Sequence, residues 1–139
     1  MKVQEIDHIC FAVRSLAEAR KMYESVLGLK PAAEYELDEE SIKVLRYYVG
    51  PVAVELMEPT REDCEVARFL DSRGEGFFLI SYRVDDVAEA LAELKSAGQE
   101  TIDQTPRASV GYRYAFIHPR AMHGVLTEIV DGEFDVSDT

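Results

Sequence analysis

An internal repeat limits the folds open to this chain more than any other feature of the sequence. The segments VRSLAEA at 13–19 and VDDVAEA at 84–90 correspond, and each joins a strand-like run to a helix. Ser15 and Asp86 are the expected N-caps of these two helices. Three strand patterns follow each helix, so the repeating unit is βαβββ. We therefore predict an α+β fold built from two βαβββ modules.

The repeat also predicts the positions of the individual elements. The first helix is expected to end at Gly28 and to bury an apolar stripe, and the second is expected to end at Gly98. A connecting helix is expected at 62–71, capped by Thr60. The expected stripe consists of Leu16, Ala19, Tyr23, Val26 and Leu27. The expected strands are 34–37, 42–49, 52–58, 100–103, 112–118 and 125–130.

The length of 139 residues suits one domain, which we expect to span 1–139 as two modules at about 5–60 and 77–131. Only residues 135–139 are expected to fray. The 15 basic and 27 acidic residues give a net charge of −12. Phosphate backbones and anionic membranes repel such a surface, so small molecules, metal cations or proteins are the expected partners.

The two cysteines, Cys10 and Cys64, stand in unlike surroundings, one in an apolar strand and one at an acidic helix start. This pattern does not indicate a disulfide framework, and a reducing cytoplasm is the expected location. No apolar stretch is long enough to span a bilayer, which favours a soluble protein.

Three polar residues interrupt apolar strands: His8, Glu55 and Glu128. A buried carboxylate is costly unless it has a partner, and the repeat places Glu55 and Glu128 at equivalent positions. If the two sheets close around a pseudo-twofold axis, all three side chains converge in one cleft. That donor set suits a divalent metal with open positions. The alternatives are a structural histidine and glutamates that face solvent.

The residue equivalent to His8 in the second copy is Leu79, which cannot bind a metal. A fully symmetric site would have two imidazoles and two carboxylates. We therefore expect metal binding to be weak, or absent with the carboxylates paired by other means.

Several segments resemble the vicinal oxygen chelate superfamily, which includes glyoxalases, bleomycin resistance proteins and dioxygenases. The opening, from IDHI at 6–9 to YESVLGL at 23–29, has this likeness. Methylmalonyl-CoA epimerases are similar in the further segments VELMEP at 54–59, FLDSRGEG at 69–76, RVDD at 83–86, FIHPR at 116–120 and GVLTE at 124–128.

The resemblance implies two βαβββ modules in a pseudo-twofold arrangement, which form a cupped mixed sheet around a divalent metal such as Co, Mn, Ni, Zn or Mg. It also implies a homodimer. The metal ligands would stand at the positions of His8, Leu79 and Glu128, with Glu55 as a further ligand. The metal would bind the thioester and carboxylate oxygens of an acyl-CoA and stabilise an enolate. Glu128 and Glu39 would move the α-proton between the two faces.

Other residues are candidates for substrate contact. Leu79 and Phe77 would form apolar walls of the cleft. His123 could supply the missing ligand from its loop. Arg107, Arg113 and Arg120 could form a basic patch for acyl-CoA phosphates, or they could be ordinary solvated arginines.

Two functions from different classes remain open. The first is a metal-dependent enzyme that transfers a proton α to a carbonyl or thioester, like methylmalonyl-CoA epimerase. The second is a metal-free protein that binds or sequesters a drug or natural product. A lyase-like or dioxygenase-like activity is disfavoured by the missing imidazole.

Overall fold

The structure is a computed structural model that describes residues 1–134; residues 135–139, where we expected fraying, lie outside the described part. The chain divides into two compact units. Among the described residues, the first unit contains Met1–His8 and 79–134, and the second contains Ile9–Phe78. The expectation of a single domain of two modules stays a prediction.

The second unit has the strand order β2-β3-β4-β1. Its strands β2 (Pro31–Leu37), β3 (Ile42–Val49) and β4 (Val52–Pro59) are joined by antiparallel pairing. The end of β1 (Glu5–Ala12) and the helices α1 (Leu16–Arg20) and α2 (Glu65–Arg73) complete this unit. Its core consists of Val13, Leu16, Leu45, Tyr47 and Leu56.

The first unit has the order β1-β5-β8-β7-β6. Its elements are β5 (Gly76–Arg83, whose first residues belong to the second unit), α3 (Val87–Ser96), β6 (Arg107–Ser109), β7 (Tyr112–Ile117) and β8 (Thr127–Gly132). β5 and β8 are parallel, whereas the pairs β6/β7 and β7/β8 are antiparallel. The core consists of Val84, Val87, Ala90, Leu91, Ala115, Ile117 and Ile129.

The α+β class and the twofold use of the βαβββ order are confirmed. The two predicted N-caps are confirmed as well: Ser15 Oγ accepts a hydrogen bond from the Glu18 amide at 3.2 Å, and Asp86 Oδ1 accepts one from the Glu89 amide at 3.0 Å. Each cap provides an acceptor for an amide that has no partner within its helix. Cys10 and Cys64 are free, buried thiols, as expected.

The predicted apolar stripe of the first helix is wrong at its end. After Arg20 the chain continues as a π-helix over Lys21–Val26, which has more residues per turn than an α-helix. This widening rotates Val26 and Leu27 away from the core, and they are 69% and 60% exposed.

Several further boundaries differ from the predictions. β2 begins at Pro31 and not at 34, and β8 spans Thr127–Gly132 and not 125–130. Residues 100–103 form no strand, only an isolated bridge between Thr101 and Ile117. The first strand after α3 is instead β6, which pairs with one edge of β7. The connecting helix α2 begins at Glu65 after Cys64, not after Thr60. An ion pair between Arg61 and Asp63 at 3.0 Å lies in the turn that precedes it. Within residues 1–134, none of the helices has the length and apolar character needed to cross a bilayer.

Candidate active site

In the first unit, the ring of His8 lies between two carboxylates. Nδ1 is 2.7 Å from Asp7 Oδ2, and Nε2 is 2.8 Å from Glu128 Oε2. His8 is 8% exposed and Glu128 is 6% exposed. The two residues come from β1 and β8, which flank β5 in the sheet. The predicted convergence of His8 and Glu128 therefore holds within this unit.

Asp7 is fixed from the other side by Arg83 on β5. The guanidinium donates from Nη2 and Nε to Asp7 Oδ1, at 2.8 Å and 3.2 Å. Burial by itself would raise the pKa of Asp7, but its hydrogen bond and attraction to His8, and then those to Arg83, outweigh burial and lower it to about 2. Asp7 therefore keeps a negative charge that orients the imidazole.

Ser81 lies beside Glu128 in the parallel pairing of β5 with β8. Side chains of paired residues in adjacent parallel strands point to the same face of the sheet, so Ser81 shares the face of Glu128. Its hydroxyl is buried and has no hydrogen-bond partner in the described part of the chain. Ser81 is not among the residues predicted from the sequence. Its pairing with Glu128 is visible only in the structure.

In the second unit, Glu55 belongs to a buried cluster. Its Oε2 accepts hydrogen bonds from Arg46 Nη1 at 2.6 Å and from the Tyr35 hydroxyl at 2.9 Å. Its Oε1 accepts a bond from Cys10 Sγ at 3.3 Å. Arg46 also donates from Nε to the Tyr48 hydroxyl at 3.1 Å. Glu55 is therefore a buried, ion-paired carboxylate and does not face solvent.

Arg46 is the partner that the sequence analysis missed. It is 5% exposed in β3, and its cross-strand neighbour in β4 is Glu55. Burial lowers the pKa of Arg46, but the attraction of Glu55 and the contact with Tyr48 reverse this effect and raise it above the ordinary value. The hairpin turn at Gly50-Pro51 sets this register, so an arginine inside an apolar strand was the available signal.

The residues of the first unit fit a divalent cation. A metal-binding histidine typically donates its second ring N–H to a carboxylate, as His8 can to Asp7, and its free nitrogen then faces the ion. Nε2 of His8 and the carboxylate of Glu128 are two such donors, 2.8 Å apart. Leu79, which is 3% exposed on β5, adds no donor atom. In the second unit, Arg46 already neutralises the charge of Glu55.

The remaining predicted residues lie in varied surroundings. Phe77 is 43% exposed and packs edge to face against Phe11 at 5.9 Å between ring centroids. Glu39 is exposed in the turn between β2 and β3. His123 is exposed after the 3₁₀ turn Pro119–Met122, with a left-handed φ of 55°. The roles of these residues stay predictions.

The three candidate arginines each have an acidic partner. Arg107 pairs with Asp103 at 2.8 Å, Arg113 with Asp131 at 2.7 Å, and Arg120 with Glu100 at 2.8 Å. These carboxylates reduce the positive potential that a phosphate would meet. Phosphate binding by the three arginines also stays a prediction.

The sequence of the chain matches a known superfamily. The sequence profile described as glyoxalase/bleomycin resistance protein/dioxygenase superfamily matches residues 7–116. The chain belongs to this superfamily. The resemblance seen in the sequence is thereby confirmed at the family level, and the matched range includes His8, Glu55 and Leu79.

Individual known proteins are also similar to this chain. The protein named YqjC of Bacillus subtilis is 35% identical over 134 residues, which cover 96% of each chain. The crystal structure of methylmalonyl-CoA epimerase from Mycobacterium tuberculosis has a TM-score of 0.89 at 31% identity, covering 99% of this chain and 93% of that one. A methylmalonyl-CoA epimerase in complex with methylmalonyl-CoA and NH4+ has a TM-score of 0.87 at 31% identity, with coverage of 93% and 94%.

Proposed function

We propose that the chain is an isomerase that moves the proton on the carbon α to the thioester of an acyl-CoA, as a methylmalonyl-CoA epimerase does. The contact between His8 Nε2 and Glu128 Oε2 at 2.8 Å carries this proposal. It combines a carboxylate base with an imidazole in a buried setting, where charge interactions are stronger than in water. Similarity to an epimerase bound to methylmalonyl-CoA supports the substrate class.

Glu128 is the proposed base for the first half of the reaction. Its carboxylate takes the α-proton, and the electron pair of the C–H bond moves toward the thioester oxygen. A second carboxyl group, for which Glu39 is our choice, starts as the protonated acid and gives its proton to the opposite face. Glu39 then ends as a carboxylate and Glu128 as a carboxylic acid, and proton exchange with water restores both. No oxidant or reductant is consumed, because one proton leaves the carbon and one returns to it.

His8 and Glu128 would hold a divalent cation, and we propose Glu55 as a further ligand. Such a cation supplies positive charge to the thioester oxygen while the α-proton leaves. The superfamily resemblance is what supports this role of Glu55.

Leu79→His is expected to tighten metal binding. Leu79 stands two residues before Ser81 on β5, so it shares the face of Ser81 and hence of Glu128. A new imidazole there would add a third donor from the first unit, and we expect affinity for Mn²⁺ or Co²⁺ to rise at least roughly tenfold by calorimetric titration. Leu79→Gln is the control, since an amide is a weaker ligand. Equal affinities for Leu79→His and the wild type would contradict the proposed ligand face.

A metal-free binding protein is the second candidate, and the Arg46–Glu55 ion pair favours it. Arg46 places a buried positive charge at Glu55, which weakens the attraction of that carboxylate for a cation. This candidate predicts that a ligand binds equally well after metal removal with a chelator. It also predicts no exchange of protons on any acyl-CoA.

Exchange of the α-proton into deuterated water separates the two candidates. Methylmalonyl-CoA incubated with the metal-supplemented protein is expected to lose its α-proton NMR signal much faster than with buffer alone. The chelator-treated protein is expected to be slower. Absence of exchange with methylmalonyl-CoA and with other branched acyl-CoAs would reject the isomerase.

We also propose a cytoplasmic location and a homodimer. The two buried free thiols, Cys10 and Cys64, support a reducing compartment. The homodimer is what the superfamily resemblance implies. The molecular mass measured by sedimentation at micromolar protein concentration tests it.

A further inference from the structure

Ser81 is an unusual group in the first unit. It is 0% exposed, and its Oγ has no hydrogen-bond partner among the residues that the structure describes. Buried hydroxyls nearly always have a partner, because leaving one unpaired costs free energy. The neighbouring buried hydroxyl of Thr127, on β8, follows this rule and donates to the Val125 carbonyl at 3.1 Å.

The internal repeat shows what such a position does in the other copy. Ser81 corresponds to Cys10, and Glu128 corresponds to Glu55. Cys10 Sγ donates to Glu55 Oε1 at 3.3 Å. Ser81 is paired with Glu128 across β5 and β8 but makes no such bond, while His8 occupies Oε2 of Glu128. The second copy therefore has a hydroxyl donor, Ser81, beside Glu128 that makes no hydrogen bond within the described part of the chain.

We propose that Ser81 Oγ donates a hydrogen bond to the thioester oxygen of the bound acyl-CoA. This inference rests on the proposed function and adds a group that contacts substrate. The hydroxyl lies on the face of Glu128, where the α-carbon must lie for proton transfer, and the thioester oxygen is two bonds from that carbon. Because the Ser81 hydroxyl has no acceptor in the described part of the protein, no such acceptor competes with the thioester oxygen for its hydrogen when negative charge develops on that oxygen.

Ser81→Ala is the direct test because it removes only the hydroxyl. The rate of α-proton exchange at saturating acyl-CoA is expected to fall about tenfold or more, since the lost bond strengthens as charge develops. The melting temperature of the ligand-free variant is expected to stay equal or rise, because an unpaired buried hydroxyl is removed. A purely structural serine would give the opposite pattern, with lower stability and unchanged exchange.

Thr127→Val is the matched control. It also removes one buried hydroxyl at nearly constant volume, but residue 127 points to the opposite face from Glu128. We expect a lower melting temperature, because the bond to the Val125 carbonyl is lost, and an unchanged exchange rate. Equal exchange rates for Ser81→Ala and the wild type would overturn the inference.

The carbonyl stretch of a bound, ¹³C-labelled thioester gives a second measurement that does not depend on turnover. Infrared difference spectra are expected to show a lower frequency in wild type than in Ser81→Cys, since a thiol is the weaker donor. An identical frequency would overturn the role of Ser81. If acyl-CoA binds but its α-proton does not exchange, only the isomerase proposal is rejected. If the α-proton exchanges and the Ser81 variants do not change the rate or the carbonyl frequency, only the inference about Ser81 is rejected. If no acyl-CoA binds, both are rejected.

Discussion

Glu128→Gln is expected to slow α-proton exchange on an acyl-CoA by roughly 10³-fold, because an amide cannot accept the proton that a carboxylate takes. The substitution keeps the size of the side chain, and the amide oxygen can still accept a hydrogen bond from His8 Nε2, now 2.8 Å from Glu128 Oε2. The fold should therefore be retained. Deuterium incorporation followed by NMR at saturating substrate measures the effect.

Glu133→Gln is the control for this substitution. Glu133 lies just after β8 and is exposed. Glu133→Gln therefore changes the net charge by the same amount as Glu128→Gln but leaves the buried site unchanged. Its exchange rate is expected to match the wild type. If Glu128→Gln retained more than about a tenth of the wild-type rate, Glu128 would not be the base, given the usual effect of losing one.

Arg46→Met is expected to lower the free energy of unfolding by about 3–5 kcal/mol, the range for removing one partner of a buried ion pair. Arg46 and Glu55 are both buried and 2.6 Å apart. After the substitution, Glu55 would keep its bonds from Tyr35 and Cys10 but lose the opposing charge. Urea unfolding followed by circular dichroism measures the loss.

Two further variants determine whether charge causes this effect. The double variant Arg46→Met, Glu55→Met removes both charges and is expected to recover much of the lost stability, since buried ion pairs can often be replaced by apolar residues. Arg61→Met breaks the exposed pair with Asp63 at 3.0 Å and is expected to cost less than about 1 kcal/mol. Equal losses for Arg46→Met and Arg61→Met would contradict a buried pair.

The repeat in the sequence was sufficient to predict the class of fold and the starts of α1 and α3, because these depend on local patterns. Ser15 and Asp86 cap their helices through contacts within four residues, which a sequence displays directly. The π-helix after Arg20 was not predictable from the spacing of apolar residues, because the same residues could form either an α-helix or a π-helix. The strand Arg107–Ser109 pairs with Tyr112–Ile117 across a two-residue turn, and three residues are too few to show a strand pattern in the sequence.

The candidate site was predictable where a polar residue interrupts an apolar strand, as His8 and Glu128 do. Arg46 follows the same rule, yet arginine at a strand position often faces solvent, and only its register opposite Glu55 shows the pairing. Ser81 gave no compositional signal, since serine is common in strands. That its hydroxyl has no hydrogen-bond partner among the described residues becomes visible only when the positions of the neighbouring acceptor atoms are known from the structure.

A crystal structure of the protein with a non-exchanging acyl-CoA analogue is the most direct test of the central claim that the buried histidine and glutamate are where the α-carbon reacts. We predict that the α-carbon lies within roughly 3.5 Å of a Glu128 carboxylate oxygen, the separation of a near-attack geometry. A thioester bound elsewhere, with His8 and Glu128 still bonded to each other, would contradict it.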